Sequence, residues 1–317
     1  MRVLFAGTSG IALPSLRALA ALEREGLCRL AGALTKADSA RGRHGGAEPT
    51  EIGAAAAELG LQVLKPGKLD APVREAVLAL KPELLVSFAY GKIFGPKFLS
   101  LFSLGGINIH PSLLPLYRGA APIQAAILAG DGETGICVQR LATEMDAGDI
   151  LEQERIPLSG RETAASLSAL AAGKGAELLS RLIRRTGAAG QLPPGEAQRG
   201  EAVYCSPITR EMGRIDWQEG AVEIDRKIRA FTPWPLCLTR HGEAELSILE
   251  GRPYGGSDPA EGKEPGEVLG TDKDWGILIQ TGNGIFAAER LQYRTKKPLD
   301  WRSFLNGARD FIGTRLI

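Results

Sequence analysis

Apolar residues in the first two-thirds of the chain follow two alternating rhythms. Short apolar runs at Val3–Ala6, Leu30–Thr35 and Leu84–Phe88 are bounded by glycine or polar residues, the signature of strands buried on both faces. Between them, Pro14–Glu25, Thr50–Leu59 and Ala71–Leu80 space their apolar positions three and four apart, which predicts amphipathic helices. The same reading adds strands at Gly106–His110, Gly135–Leu141 and Ile150–Ile156, and helices at Ala121–Ala129 and Thr163–Arg185. Strands alternating with helices predict an α/β domain in which helices cover a parallel sheet.

A stretch rich in glycine and proline, Gly187 to Gly195, interrupts this pattern and reads as a linker. Beyond it one helix is expected at Ala221–Phe231, ending at Pro233-Trp234-Pro235. Short strand-like runs follow at Ala244–Glu250, Glu267–Leu269, Gly276–Gln280 and Ile285–Tyr293, which predict a small β-barrel. The expected organisation is a first domain at 1–189, a linker at 190–203 and a second domain at 204–317.

Composition narrows the class. The chain is 44% hydrophobic and 24% charged, the balance of a soluble globular protein. Its opening apolar run meets Gly7 at once, too short for a signal peptide, and no later run reaches membrane length. A cytosolic protein with no membrane partner is therefore expected. Cys28, Cys137, Cys205 and Cys237 form no Cys-x-x-Cys pair, and His44, His110 and His241 are far apart in sequence. Neither a disulfide framework nor a metal site is expected. With a net charge of +1, any contact with a polyanion must come from local patches. No obvious dimerisation helix stands out, so a monomer is expected.

The segment Ile107-Asn108-Ile109-His110-Pro111 carries the most chemistry. Strand alternation sends Ile107 and Ile109 to one face and puts Asn108 and His110 together on the other. Pro111 cannot extend the ladder, so the pair stands at the strand's C-terminal end, where open α/β sheets bind ligands. An amide and an imidazole side by side can cradle an oxygen that is becoming negative. The strand Gly135–Leu141 is expected to run parallel to this one, which would return the following loop, Glu144-Met145-Asp146-Ala147-Gly148-Asp149, to the same sheet edge. Asp146 is the preferred partner for His110, although spacing alone does not separate it from Glu144 and Asp149.

From Ser87 to Ile150 the chain contains Ser-Phe-Ala-Tyr-Gly-Lys-Ile, Ile-Asn-Ile-His-Pro-Ser-Leu-Leu-Pro, Tyr-Arg-Gly-Ala-Ala-Pro-Ile-Gln and Asp-Ala-Gly-Asp-Ile. This run resembles the folate-dependent formyltransferase superfamily. The motif Tyr117–Gln124, the two-domain length, Phe231-Thr232-Pro233-Trp234-Pro235 and the closing Phe304-Leu305-Asn306-Gly307 are similar to the methionyl-tRNA formyltransferases in particular. The resemblance implies a Rossmann-like domain followed by an OB-like β-barrel domain that contacts tRNA. It also implies 10-formyltetrahydrofolate as formyl donor and methionyl-initiator tRNA as acceptor. It carries the catalytic trio onto Asn108, His110 and Asp146, with His110 expected to be held as imidazolium. The folate pocket falls on Ser112, Leu113, Leu114 and Pro115, with walls at Phe88, Tyr90, Gly91 and Lys92. RNA contacts fall on Arg118, on Arg41 and Arg43 in the loop after the second strand, and on Arg294, Lys296 and Lys297. Pro111 is more common in glycinamide ribonucleotide formyltransferases and in formyltetrahydrofolate hydrolase domains, of which the former lack a second domain of this kind.

Overall fold

The computed structural model describes residues 1–40, 47–256 and 263–317. Arg41, Arg43 and His44 lie outside the described residues. The chain divides into two compact units, one made of 1–122, 133–157 and 167–206, the other of 123–132, 158–166 and 207–317.

The first unit is built on a seven-stranded sheet. From edge to edge it runs Ile150–Pro157, Glu133–Arg140, Gly106–His110, Leu84–Phe88, Arg2–Gly7, Arg29–Leu34 and Val63–Leu64. Val3, Leu4, Phe5, Ala6, Leu84, Leu85 and Val86 are fully buried, as strands covered on both faces must be. Each large apolar side chain so buried stabilises the fold by about 1.5–3 kcal/mol relative to exposure. The helix Ala164–Ala189 lies against one face. A Cβ placed at its Gly175 would come within 3.0 Å of Ile109 and Ile136. That contact commits Ile109 to the helix side of its strand, which leaves Asn108 and His110 for the other face.

The sheet is mixed where a fully parallel one was expected. The five strands from Gly106–His110 to Val63–Leu64 pair parallel, but Glu133–Arg140 runs antiparallel to Gly106–His110, with Asn108 opposite Gln139 and His110 opposite Cys137. Ile150–Pro157 is antiparallel again. The chain leaves Gly106–His110 and re-enters the sheet at Glu133 from the same end, after a connection that holds the eight-residue helix Pro122–Ala129.

In the second unit, Cys237–His241, Ala244–Pro253, Ile285–Tyr293, Gly276–Gln280 and Val268–Asp272 pair in that order, all antiparallel, with Leu299–Asp300 added on Ile285–Tyr293. The helix Ala221–Phe231 buries Ile224, Ile228 and Phe231. The expected barrel is not closed: the edge strands Cys237–His241 and Val268–Asp272 do not pair with each other. The end of the chain takes up their free backbone groups instead. Arg240 and Ile317 exchange N–H···O bonds of 2.7 and 3.1 Å, and the Val268 N–H donates to the Thr314 carbonyl at 2.9 Å. An edge satisfied by a tail has no need to close on its opposite edge. No helix among the described residues is long and apolar enough to cross a membrane.

Candidate active site

Asn108 and His110 project from the end of their strand, and Asp146 meets both of them. The Asn108 amide lies 3.4 Å from Asp146 Oδ1, and His110 Nδ1 lies 3.7 Å from Asp146 Oδ2. The route to this convergence differs from the expected one. The strand before Asp146 is antiparallel to Gly106–His110, so its end points away from His110. The loop must fold back over the sheet face to bring the carboxylate in. Asp146 adopts a left-handed backbone, φ +52°, and Gly148 presses so closely on the strand that a Cβ there would overlap the Arg140 carbonyl. A non-glycine residue in this conformation stores strain and requires support from its surroundings. Glu144 and Asp149, the alternatives left open by spacing, are exposed, and Glu144 pairs with Arg118 at 3.0 Å.

Three further groups hold the Asp146 carboxylate and its loop. Gln139 donates to Oδ1 at 3.0 Å, and the Gly119 N–H donates to Oδ2 at 2.9 Å. Gly119 has φ +120°, and a Cβ on it would overlap the Cys205 carbonyl, so only glycine brings its N–H here. Gln198 donates to the main-chain carbonyls of Asp146 and Gly148 at 2.8 and 2.9 Å. Gln139 and Gln198 were missed from sequence. Gln139 was legible only through the register opposite Asn108, and nothing local marks Gln198.

His110 is 4% exposed. Its Nε2 lies 2.9 Å from the Tyr117 carbonyl, which can only accept, so Nε2 carries the hydrogen. Burial pushes the imidazole below its ordinary range, while Asp146 and the Tyr117 carbonyl pull the other way. Desolvation of a ring this enclosed is the largest influence, and the downward direction prevails. This corrects the expectation of a standing imidazolium. Near neutral pH the ring is neutral, and Nδ1 faces the carboxylate as a bare acceptor, beyond hydrogen-bond reach.

The other expected positions divide. Phe88 and Tyr90 are 1% and 2% exposed, and Tyr90 stacks on Phe94 at 5.3 Å within the core. Leu114 is buried, and the buried Ser112 hydroxyl donates to the Leu116 carbonyl at 2.6 Å. Gly91 is exposed, and Leu113 and Pro115 are half-buried. The Lys92 ammonium is engaged by the Pro66 and Gly67 carbonyls. Among these positions the exposed Gly91 and the half-buried Leu113 and Pro115 retain accessible surface, and the rings of Phe88 and Tyr90 do not. Arg118 is occupied internally, by Gln198 at 2.8 and 3.1 Å, Glu144 at 3.0 Å and Tyr204 at 3.2 Å. Arg294, Lys296 and Lys297 are exposed. Arg294 also lines a cavity of about 620 Å³ in the second unit with Arg214, Arg240, Glu243, Glu245 and the C-terminal Ile317. No group of three or more His, Cys, Asp or Glu among the described residues is placed to hold a metal ion.

Comparison with known proteins places the chain in a family. The formyl transferase family matches residues 1–183, and the formyl transferase C-terminal domain matches 207–309. The chain is 48% identical to the methionyl-tRNA formyltransferase of Treponema denticola, over 98% of each chain. The chain belongs to the methionyl-tRNA formyltransferase family. Among solved structures, the sugar 3N-formyl transferase WlaRD shares 18% identity at a TM-score of 0.64, covering 94% of this chain and 99% of that one. HypX from Aquifex aeolicus in complex with tetrahydrofolic acid shares 18% identity at a TM-score of 0.62. That alignment takes in 98% of this chain, which spans about half of HypX (48%). At such identities the two structures speak for the fold alone.

Proposed function

We propose that this chain transfers the formyl group of 10-formyltetrahydrofolate to the α-amino group of methionyl-initiator tRNA, in the cytoplasm and as a monomer. In this reading residues 1–189 carry the chemistry, 190–203 connect, and 204–317 hold the RNA. The observation that carries it is the convergence of an amide, a buried neutral imidazole and a carboxylate in a chain 48% identical to a methionyl-tRNA formyltransferase along its length.

Formyl transfer is acyl transfer: an amine attacks the formyl carbon, an oxyanion forms, and the folate nitrogen leaves with a proton. Asn108 supplies an amide N–H for the oxyanion, an interaction that strengthens as charge develops. The bare Nδ1 of His110 takes the proton shed by the attacking amine. The imidazolium then formed lies beside Asp146, which stabilises it and keeps it oriented, and its proton passes to the leaving nitrogen. An α-amino group titrates at about 7.7–8.0 and lower once the neighbouring carboxyl is esterified, so a neutral amine is available near pH 7.

Main-chain groups around Gly91 and the loop from Ser112 to Pro115 would hold the folate. Arg214, Arg240 and Arg294 around their shared cavity, with Lys296 and Lys297 nearby in sequence, would meet phosphates. Arg118 serves the Asp146 loop in this reading rather than RNA. The test is incubation with the formyl donor and, in parallel, methionyl-initiator tRNA, glycinamide ribonucleotide, an amino-sugar nucleotide or water alone. Formylation of the methionyl-tRNA alone is expected, and transfer to another acceptor in its place would overturn the proposal.

A further inference from the structure

We infer that Gln198, in the segment between the two expected domains, is a positioning residue that fixes the backbone of the Asp146 loop; this rests on the reading of Asp146 given above. The segment is pinned to the catalytic loop and its neighbours at several points rather than hanging slack. Glu196 and Ile150 exchange N–H···O bonds of 2.8 and 2.9 Å, and the Val203 N–H donates to the Pro115 carbonyl at 3.2 Å. Arg140 donates to the Pro193 carbonyl at 2.9 Å. Gln198 stands between these anchors, half-buried.

Its amide is used from both ends. The nitrogen's hydrogens reach the Asp146 and Gly148 carbonyls at 2.8 and 2.9 Å, with the Gln139 side-chain oxygen at 3.4 Å as a third, longer partner. Its oxygen accepts from Arg118 Nη2 and Nε at 2.8 and 3.1 Å. Carbonyls only accept and a guanidinium only donates, so the amide has one permitted orientation. The residue held in this way is Asp146, whose φ of +52° lies in the left-handed region, where a non-glycine residue draws on support from its surroundings. Arg118 adds a second route to the same carboxylate, because the next residue, Gly119, gives its N–H to Asp146 Oδ2. Gln198 touches neither Asn108 nor His110 through any of these bonds, so its route to the chemistry runs through the Asp146 loop and through Gln139, which itself holds the Asp146 carboxylate.

Glutamate has the same shape as glutamine and cannot donate when ionised, which makes it a sharp probe of this role. Single-turnover formylation of methionyl-tRNA is compared for the parent, Gln198→Ala, Gln198→Glu, Asp146→Asn and the double variant Asp146→Asn/Gln198→Ala, with KM for both substrates and a melting curve for each protein. Misplacing a reacting group by about 1 Å costs up to about 100-fold in rate. Both Gln198 variants should therefore be slower by about 10- to 100-fold, with each KM within about twofold of the parent. Once Asp146 no longer acts, Gln198→Ala should cost less than about twofold more. A Gln198→Glu protein at the parental rate would overturn the inference. So would an undiminished Gln198→Ala penalty in the Asp146→Asn background. Should Gln198→Ala fail to fold, the isosteric glutamate variant decides alone. A parental rate for Asp146→Asn would instead remove the site assignment itself, and this inference with it.

Discussion

At the scale of single residues, the state of His110 governs how the site works. A neutral, enclosed imidazole whose Nε2–H is committed to the Tyr117 carbonyl has one free function, to accept a proton at Nδ1. The rate should therefore decline as pH falls below the ordinary imidazole range, about 6.5, beyond whatever protonation of the amine itself takes away. A rate that rose as pH fell from 8 to 6 would mean that the imidazolium is the active form. Asn108→Ala removes a donor to the oxyanion and should slow turnover by about 10²–10³-fold, or about 2.7–4 kcal/mol of barrier. Asn108 is half-buried at a strand end, so little change in melting temperature is expected.

At the scale of elements, the site depends on backbone that only certain residues permit. Gly119 combines φ +120° with contact against the Cys205 carbonyl. Gly119→Ala should destabilise the fold by about 1–3 kcal/mol and slow formyl transfer as well, because its N–H would leave Asp146. A denaturant melt beside a rate measurement checks both. Most of the elements were legible in the sequence: Leu84–Phe88, Gly106–His110 and Ala221–Phe231 stand where periodicity put them. Strand direction was not. An apolar run such as Gly135–Leu141 reads the same for either sense, and its direction shows only in the pairing with Gly106–His110. The convergence of Asp146 was thus expected from a parallel neighbour, yet it comes from a loop folded back over an antiparallel one. The strand Cys237–His241 was missed because Thr239, Arg240 and His241 break its apolar character. Gln198 was invisible because its role is made by partners distant in sequence, Arg118 and Asp146.

At the scale of the whole molecule, linkage and ionic strength give two readouts. The folded-state pKa of His110 is lowered, so the unfolded chain binds the proton more readily and folding stability rises with pH through that window. Stability should accordingly fall as pH drops below about 6.5, and His110→Gln should flatten that slope in equilibrium unfolding. On the second unit, replacing Arg214, Arg240 and Arg294 by glutamine should weaken methionyl-tRNA binding uniformly and reduce the salt slope by about 0.7–0.9 for each phosphate that is no longer neutralised. kcat should be unchanged at saturating RNA. Near-balanced net charge gave no hint of this surface, since the arginines stand beside Glu243 and Glu245 and are legible only once folding gathers them.

In the proposed reaction the imidazole of His110 moves the proton on which acyl transfer depends. Its most direct test is the single-turnover rate of formylation of methionyl-tRNA by His110→Ala, with both substrates saturating. A loss of about 10²–10⁴-fold is expected, in a protein that still folds. A parental rate from the folded variant would contradict it.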